Sequence, residues 1–245
     1  EICVDRERVR EVLARAAADE RSMLTEAEAK AVISAYRIPV PETIVARTDA
    51  EVAAAAQRLL ETSSSVVVKL LSKTLSHKSD LGGVVLDVRS AAEAATAASA
   101  IRERLARHVP GAKLDGFSVQ PMIRRAGARE LIIGIGSDAI FGPTVTFGSG
   151  GTAVEVVGDV ATGLVPLDDV LAGDLIDHTR VNALLKGFRG ERPADRGAIV
   201  QALLGLSQLS VDFPAIVSVD VNPLLADSDG VIALDARVEF DPRRV

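Results

Sequence analysis

Residues Val66–Leu71 read Val-Val-Val-Lys-Leu-Leu, a β-branched run that carries an ammonium group, Lys69. Such a run favours a buried strand. A lysine drawn into it is costly to bury without a partner. The polar stretch Ser72–Asp80 follows, with His77 and two further lysines, Lys73 and Lys78. Leu81-Gly82-Gly83 then leads into a second β-branched run, Val84–Val88. A cationic, glycine-ended loop between two strands can fold over an anion, using backbone N–H groups and ammonium charge together, and a phosphate suits best. The plainer readings are a strand-end Lys69 snorkelling to water and glycines that only supply positive φ at a turn.

Helix signals flank this centre. Thr25-Glu26-Ala27-Glu28, Thr48-Asp49-Ala50-Glu51 and Ser90-Ala91-Ala92-Glu93 are capping boxes that open helices to about Tyr36, Glu61 and His108. The segments Thr43–Ala46, Val66–Leu71 and Val84–Val88 are the strands between them, so this half reads α-β-α-β-β-α, a sheet covered by helices. Asp5–Ala18 is helical without an evident partner and reads as a linker. Further strands are expected at Gly116–Ile123, Glu130–Ile135 and Thr144–Phe147, followed by the glycine loop Gly148-Ser149-Gly150-Gly151. Helices are expected at Leu167–His178, Arg180–Phe188 and Asp195–Leu209, then strands at Ala215–Leu225 and Val231–Val238. The expected architecture is α+β, two lobes meeting near Gln120. Its boundaries are 1–23 for a helical linker, 24–115 and 116–240 for the lobes, and 241–245 for a tail.

The chain has 245 residues, 48% of them apolar and 25% charged, enough for one large or two small globular cores. A net charge of −6 argues against a general nucleic-acid grip, so any anion site is local. Cys3 is the single cysteine, which fits a reducing cytoplasm. No apolar run approaches the roughly 20 residues of a membrane span. The chain begins at Glu1 and reads as a piece of something longer.

The closing strands carry the sharpest geometric expectation. With a two-residue turn at Ser228-Asp229, Asn222 faces Asp235 and Asp220 faces Arg237, all four on one face. Val219, Val221, Leu234 and Ala236 take the other face. An amide, two carboxylates and a guanidinium suit a hard cation such as magnesium with a nucleotide phosphate. They suit equally a solvated outer face with an Asp–Arg pair.

Several strings occur together in one order: Lys69, His77-Lys78-Ser79-Asp80-Leu81-Gly82-Gly83-Val84, Gln120-Pro121-Met122, Phe141-Gly142-Pro143, Phe147-Gly148-Ser149-Gly150-Gly151 and Asp220-Val221-Asn222-Pro223-Leu224. They resemble the ATP-grasp module of NDP-forming acyl-CoA synthetases, relatives of the succinyl-CoA synthetase β subunit, over about Leu24–Phe240. The resemblance implies an ATP-grasp fold whose two lobes clamp ATP or ADP. It implies that Lys69 holds the phosphates, that Gln120, Pro121 and Met122 take the adenine through backbone groups, and that Glu130 orients the nucleotide. Asn222 and Asp235 fall at magnesium ligands. Lys78, Gly82 and Gly83 fall in one phosphate loop, and Gly150-Gly151 in the loop that receives an incoming phosphohistidine segment. His77 falls at the second relay histidine, a role that suits an imidazole nucleophilic near pH 7. A CoA-binding module, in the same chain or a partner subunit, completes such an enzyme. The same module also occurs as a degenerate regulatory sensor of nucleotide or acyl-CoA attached to a protein acetyltransferase domain.

Overall fold

The structure, a computed structural model, describes residues 4–73, 81–151, 158–187 and 190–245. His77 and Lys78 lie outside the described residues. The chain divides into two compact units, Pro41–Arg124 and Glu1–Val40 with Arg125–Val245.

The smaller unit is a four-stranded antiparallel sheet of order β1-β4-β2-β3, from β1 (Ile44–Ala46), β2 (Val66–Leu71), β3 (Val84–Val88) and β4 (Gly116–Pro121). Two helices, α3 (Asp49–Leu60) and α4 (Ala91–His108), pack against it. Val66, Val68 and Leu70 of β2 and Phe117 and Val119 of β4 share a core with Val52, Ala55, Ala56 and Leu59 of α3 and Ala94, Ala98 and Ile101 of α4. The alanine faces let the two helices approach each other and the sheet closely. By strand alternation Val67, Lys69 and Leu71 lie on the opposite face, with Ser118 and Gln120 as neighbours. Every residue of β2 is buried. The caps form as the sequence indicates: the Thr48 and Ser90 hydroxyls accept from the N–H groups of Glu51 and Glu93. The two glutamates reach back one residue further than a strict capping box, to the N–H groups of Arg47 and Arg89.

The larger unit is built on a six-stranded antiparallel sheet. Its order is β10-β8-β5-β6-β7, with β9 also paired to β8. The strands are β5 (Arg129–Asp138), β6 (Gly142–Ser149), β7 (Val160–Leu164), β8 (Ile216–Asp227), β9 (Gly230–Ala233) and β10 (Arg237–Phe240). Helices α5 (Asp169–Asp177), α6 (Asn182–Leu185) and α7 (Arg196–Asp212) follow β7. One sheet face, with Leu131, Ile133, Val145, Phe147, Val219 and Val221, packs on Ile199, Leu203 and Leu206 of α7.

Several expectations change. The first helix, α1 (Arg6–Ala18), is not a linker: Val9, Val12, Leu13 and Ala16 are buried in the larger core beside Val32 and Ile33 of α2 (Glu26–Ala35). It is latched at its start, where Arg6 Nε and the Tyr36 hydroxyl both donate to Asp212 Oδ2, at 2.7 and 2.6 Å. Second, β4 pairs between β1 and β2, so a boundary at 115/116 would cut a sheet in two; the contact division falls after Arg124. Third, β7 appears where the sequence shows no strand, because Val160-Ala161-Thr162-Gly163-Leu164 is an edge strand alternating exposed and half-buried residues. Of the helix expected over Arg180–Phe188, whose last residue lies outside the described residues, the single turn of α6 forms. No described helix is long and apolar enough to cross a membrane.

Candidate functional site

The chemistry-bearing residues form two groups, one in each unit. In the smaller unit Lys69 is 8% exposed although it sits mid-strand. Its cross-strand neighbours are Ser118 on β4 and Val84 on β3. Gln120, 3% exposed, stands two residues further along β4 on the same face. Pro121 is the last residue of β4, where its missing N–H breaks no ladder, and the N–H of Met122 turns back to the Ser65 carbonyl at 2.9 Å. Gly82 has φ +62°, and its carbonyl accepts from Arg104 Nη1 at 3.0 Å. The Gly83 carbonyl accepts the Leu70 N–H at 2.7 Å, next to Lys69. The glycine pair is therefore anchored to both β2 and α4.

In the larger unit the glycine loop, Glu130 and Asn222 meet. The Gly150 N–H donates to the Glu130 carbonyl at 2.8 Å, and the Gly151 N–H donates to Asn222 Oδ1 at 2.9 Å. Gly151 holds φ +86°, and a Cβ there would lie 2.2 Å from Glu130 Oε2. A Cβ at Gly150 would lie 2.4 Å from the Leu131 carbonyl. Only glycine lets this loop cross so close to β5. Sequence spacing gives no sign of this meeting, because Glu130, Gly151 and Asn222 sit on three different strands or loops.

The closing hairpin has the expected register. Asp227 pairs Gly230, Leu224 pairs Ala233, and beyond the break between β9 and β10 Arg237 pairs Asp220. Asn222 and Asp235 fall opposite each other between those paired stretches. Val219, Val221 and Ala236 are buried on the far face. The Asp220–Arg237 ion pair of the plainer reading is not among the described salt bridges, although Arg237 acts on the Asp220 carboxyl electrostatically. Asp220 keeps exposed surface, yet its carboxyl is pushed above the usual range. Desolvation raises it most, the Asp235 carboxylate adds to this, and Arg237 opposes. Asp235 Oδ1 accepts the Ala236 N–H at 2.9 Å. Among the described residues no three His, Cys, Asp or Glu side chains form a metal cluster. The donors here are instead two carboxylates and one amide oxygen. That hard-oxygen set, with crowded negative charge, fits a magnesium ion that keeps several waters or phosphate oxygens of its own. Of the other basic residues near the strand ends, Arg124 pairs with Asp87 at 2.5 Å and Arg125 with Asp227 at 3.2 Å.

The sequence matches the ATP-grasp domain family over residues 15–240. It is 36% identical over 231 residues to the β subunit of ADP-forming acetate–CoA ligase I of Pyrococcus furiosus, covering 94% of this chain and 97% of that subunit. The ADP-forming 4-hydroxybutyrate–CoA ligase of Nitrosopumilus maritimus is 33% identical over 237 residues, 96% of this chain, which there spans only 33% of the protein. Among solved structures, the dinucleotide-forming acetyl-coenzyme A synthetase 1 of Ca. Korarchaeum cryptofilum, with coenzyme A, Ca-AMPCP and HgCl+, superposes with a TM-score of 0.88 at 37% identity. That match covers 94% of this chain and 99% of the other. The same synthetase with coenzyme A and Mg-AMPPCP, its phosphohistidine segment pointing towards the nucleotide-binding site, has a TM-score of 0.80 at 35% identity. It covers 95% of this chain and 99% of the other. The chain belongs to the ATP-grasp domain family. More narrowly, it is the ATP-grasp module of an ADP-forming acyl-CoA ligase, the part that stands alone as a β subunit in the Pyrococcus enzyme.

Proposed function

We propose that this chain binds ADP or ATP with magnesium and passes a phosphoryl group between the nucleotide and a phosphohistidine relay. A CoA-binding module, in the same chain or a partner subunit, carries out the acyl chemistry in the cytoplasm. The observation that carries the reading is the meeting of Gly151, Glu130 and Asn222 beside the Asp220–Asp235 carboxylates, since it sets the glycine loop against a hard-cation donor set. The related synthetase structure with Mg-AMPPCP supports the cofactor.

In this mechanism Lys69 supplies the charge for the phosphates, and Gln120, Pro121 and Met122 take the adenine edge through backbone groups. Glu130 orients the nucleotide. Asn222 and Asp235, with Asp220 beside them, would hold the magnesium, which would neutralise phosphate charge. Gly82, Gly83 and Lys78 serve as phosphate-loop residues. The N–H groups of Gly150 and Gly151 border the path of the incoming phosphohistidine segment. His77 is the second relay histidine: its ring nitrogen attacks phosphorus, the N–P bond of the donor phosphohistidine breaks, and the phosphoryl group then passes to the ADP β-phosphate oxygen.

Titration calorimetry with ADP, with and without magnesium, tests the metal arm. Asn222→Ala and Asp235→Ala each abolish the magnesium dependence, and the double variant adds little, because either loss already empties the shared site. Additive effects of the two substitutions would refute a shared cation.

A further inference from the structure

Ser118 stands apart from everything the proposed function uses. It is fully buried, at 0% exposure, and its Oγ has no hydrogen-bond partner among the described residues. Buried hydroxyls in native proteins are nearly always paired, and an unpaired one signals strain or a functional role. Its place in the fold is informative. Ser118 lies directly across the strand pair from Lys69, on the sheet face that also carries Gln120. Directly opposed strand residues have Cβ atoms about 5 Å apart. A hydroxyl both donates and accepts, whereas a lysine ammonium only donates. Lys69 can therefore serve the Ser118 lone pairs but cannot accept its proton. The neighbours on β4, Phe117 and Val119, point into the helix-covered core and offer no side-chain acceptor.

We propose that Ser118 is a nucleotide-binding residue: its O–H donates to an acceptor atom of the bound nucleotide that lies between the Lys69 and Gln120 ends of this sheet face. The inference rests on the reading of that face as the nucleotide's seat. It adds a hydroxyl whose burial is tolerated in the free protein because the ligand supplies its missing acceptor. A purely structural serine predicts the opposite pattern. If the hydroxyl only costs stability, its removal helps the protein and leaves nucleotide binding untouched.

The test is calorimetric titration of the protein with magnesium and ADP, beside thermal unfolding with and without nucleotide. Ser118→Ala raises the Tm of the nucleotide-free protein, because an unpaired buried donor is gone. The same change weakens ADP binding about 3- to 10-fold, the range for one lost hydrogen bond. Ser118→Thr and Ser118→Val bring the same added bulk and differ only in the hydroxyl, so the threonine variant binds ADP more tightly than the valine variant by a similar factor. Wild-type affinity in Ser118→Ala, or equal affinity in the threonine and valine variants, overturns the assignment. Lys69→Ala, titrated in parallel, separates the two levels. If it retains wild-type affinity, the face is not the nucleotide's seat. If it loses affinity while Ser118→Ala does not, only the role of Ser118 fails.

Discussion

Replacing Gly151 by alanine gives the strictest test of the glycine-loop site, because its cost divides into parts that the structure separates. At φ +86° an L-residue pays about 1–2 kcal/mol for the left-handed backbone. The new Cβ meets Glu130 Oε2 at 2.2 Å, so the Glu130 carboxylate must swing away or the loop must lift. If the loop lifts, the Gly151–Asn222 hydrogen bond goes with it, for about 1 kcal/mol more. Gly142 provides the control. Its φ is +82° and nothing lies within 4 Å of a Cβ there. Gly142→Ala therefore carries the backbone cost alone. The expected difference between the two variants is about 1 kcal/mol, or about 2–4 °C in Tm for a protein of this size. It is read by thermal unfolding of the two variants under one condition. Phosphoryl transfer in the assembled ligase adds a second readout. Gly151→Ala lowers it at least about 10-fold, since displacement of the Glu130 carboxylate or loss of the Asn222 contact misplaces groups that must be held closely. Gly142→Ala leaves transfer unchanged. Equal Tm values and equal transfer rates in the two variants would refute the idea that Glu130 and Asn222 hold this loop.

Asp220→Asn stabilises the magnesium-free protein at neutral pH. The native carboxyl titrates above its unfolded value, so its ionised form weakens the fold as pH rises through that raised native pKa; the advantage of the variant fades below about pH 4, where both states are protonated. Chemical denaturation across pH measures this, and an advantage that grows on acidification would contradict it. Asp212→Ala destabilises by about 3 kcal/mol, because the buried Tyr36 hydroxyl and the Arg6 guanidinium lose one shared acceptor. Burial raises the Asp212 carboxyl, but bonds from Tyr36, Arg6 and Gln208 together hold it below the usual range, so the wild-type advantage is present at neutral pH and lost on acidification through that lowered pKa. Denaturant titration at pH 7 and at low pH checks both points. His77→Ala keeps ATP affinity within about threefold, under about 1 kcal/mol, yet abolishes phosphohistidine formation in the full-length ligase; wild-type phosphoryl transfer in this variant would remove His77 from the relay.

What the sequence determined by itself is local. Thr25, Thr48 and Ser90 fix their helix starts because the capping oxygen and the N–H it serves are only three residues apart. The β-branched run at Val66–Leu71 becomes a buried strand as its composition demands. The Ser228-Asp229 turn sets the register of β8 with β9, and so the alignment of Asn222 with Asp235, because a two-residue turn leaves the pairing no freedom. Tertiary structure decided the rest, wherever partners lie far apart in the chain. The sequence shows that α1 is helical, but not that Val9, Val12, Leu13 and Ala16 are buried or that Asp212, more than 200 residues away, latches the helix. Strand β4 is equally apolar whichever sheet it joins, and pairing with β2 assigns it. The approach of Gly151 to Glu130 and Asn222 depends on three segments converging, which no periodicity encodes. Ser118 is an ordinary strand residue in the sequence. Only the packing that buries its hydroxyl without a partner, across from Lys69, gives it meaning, because an unmet hydrogen bond is a property of surroundings and not of residue type.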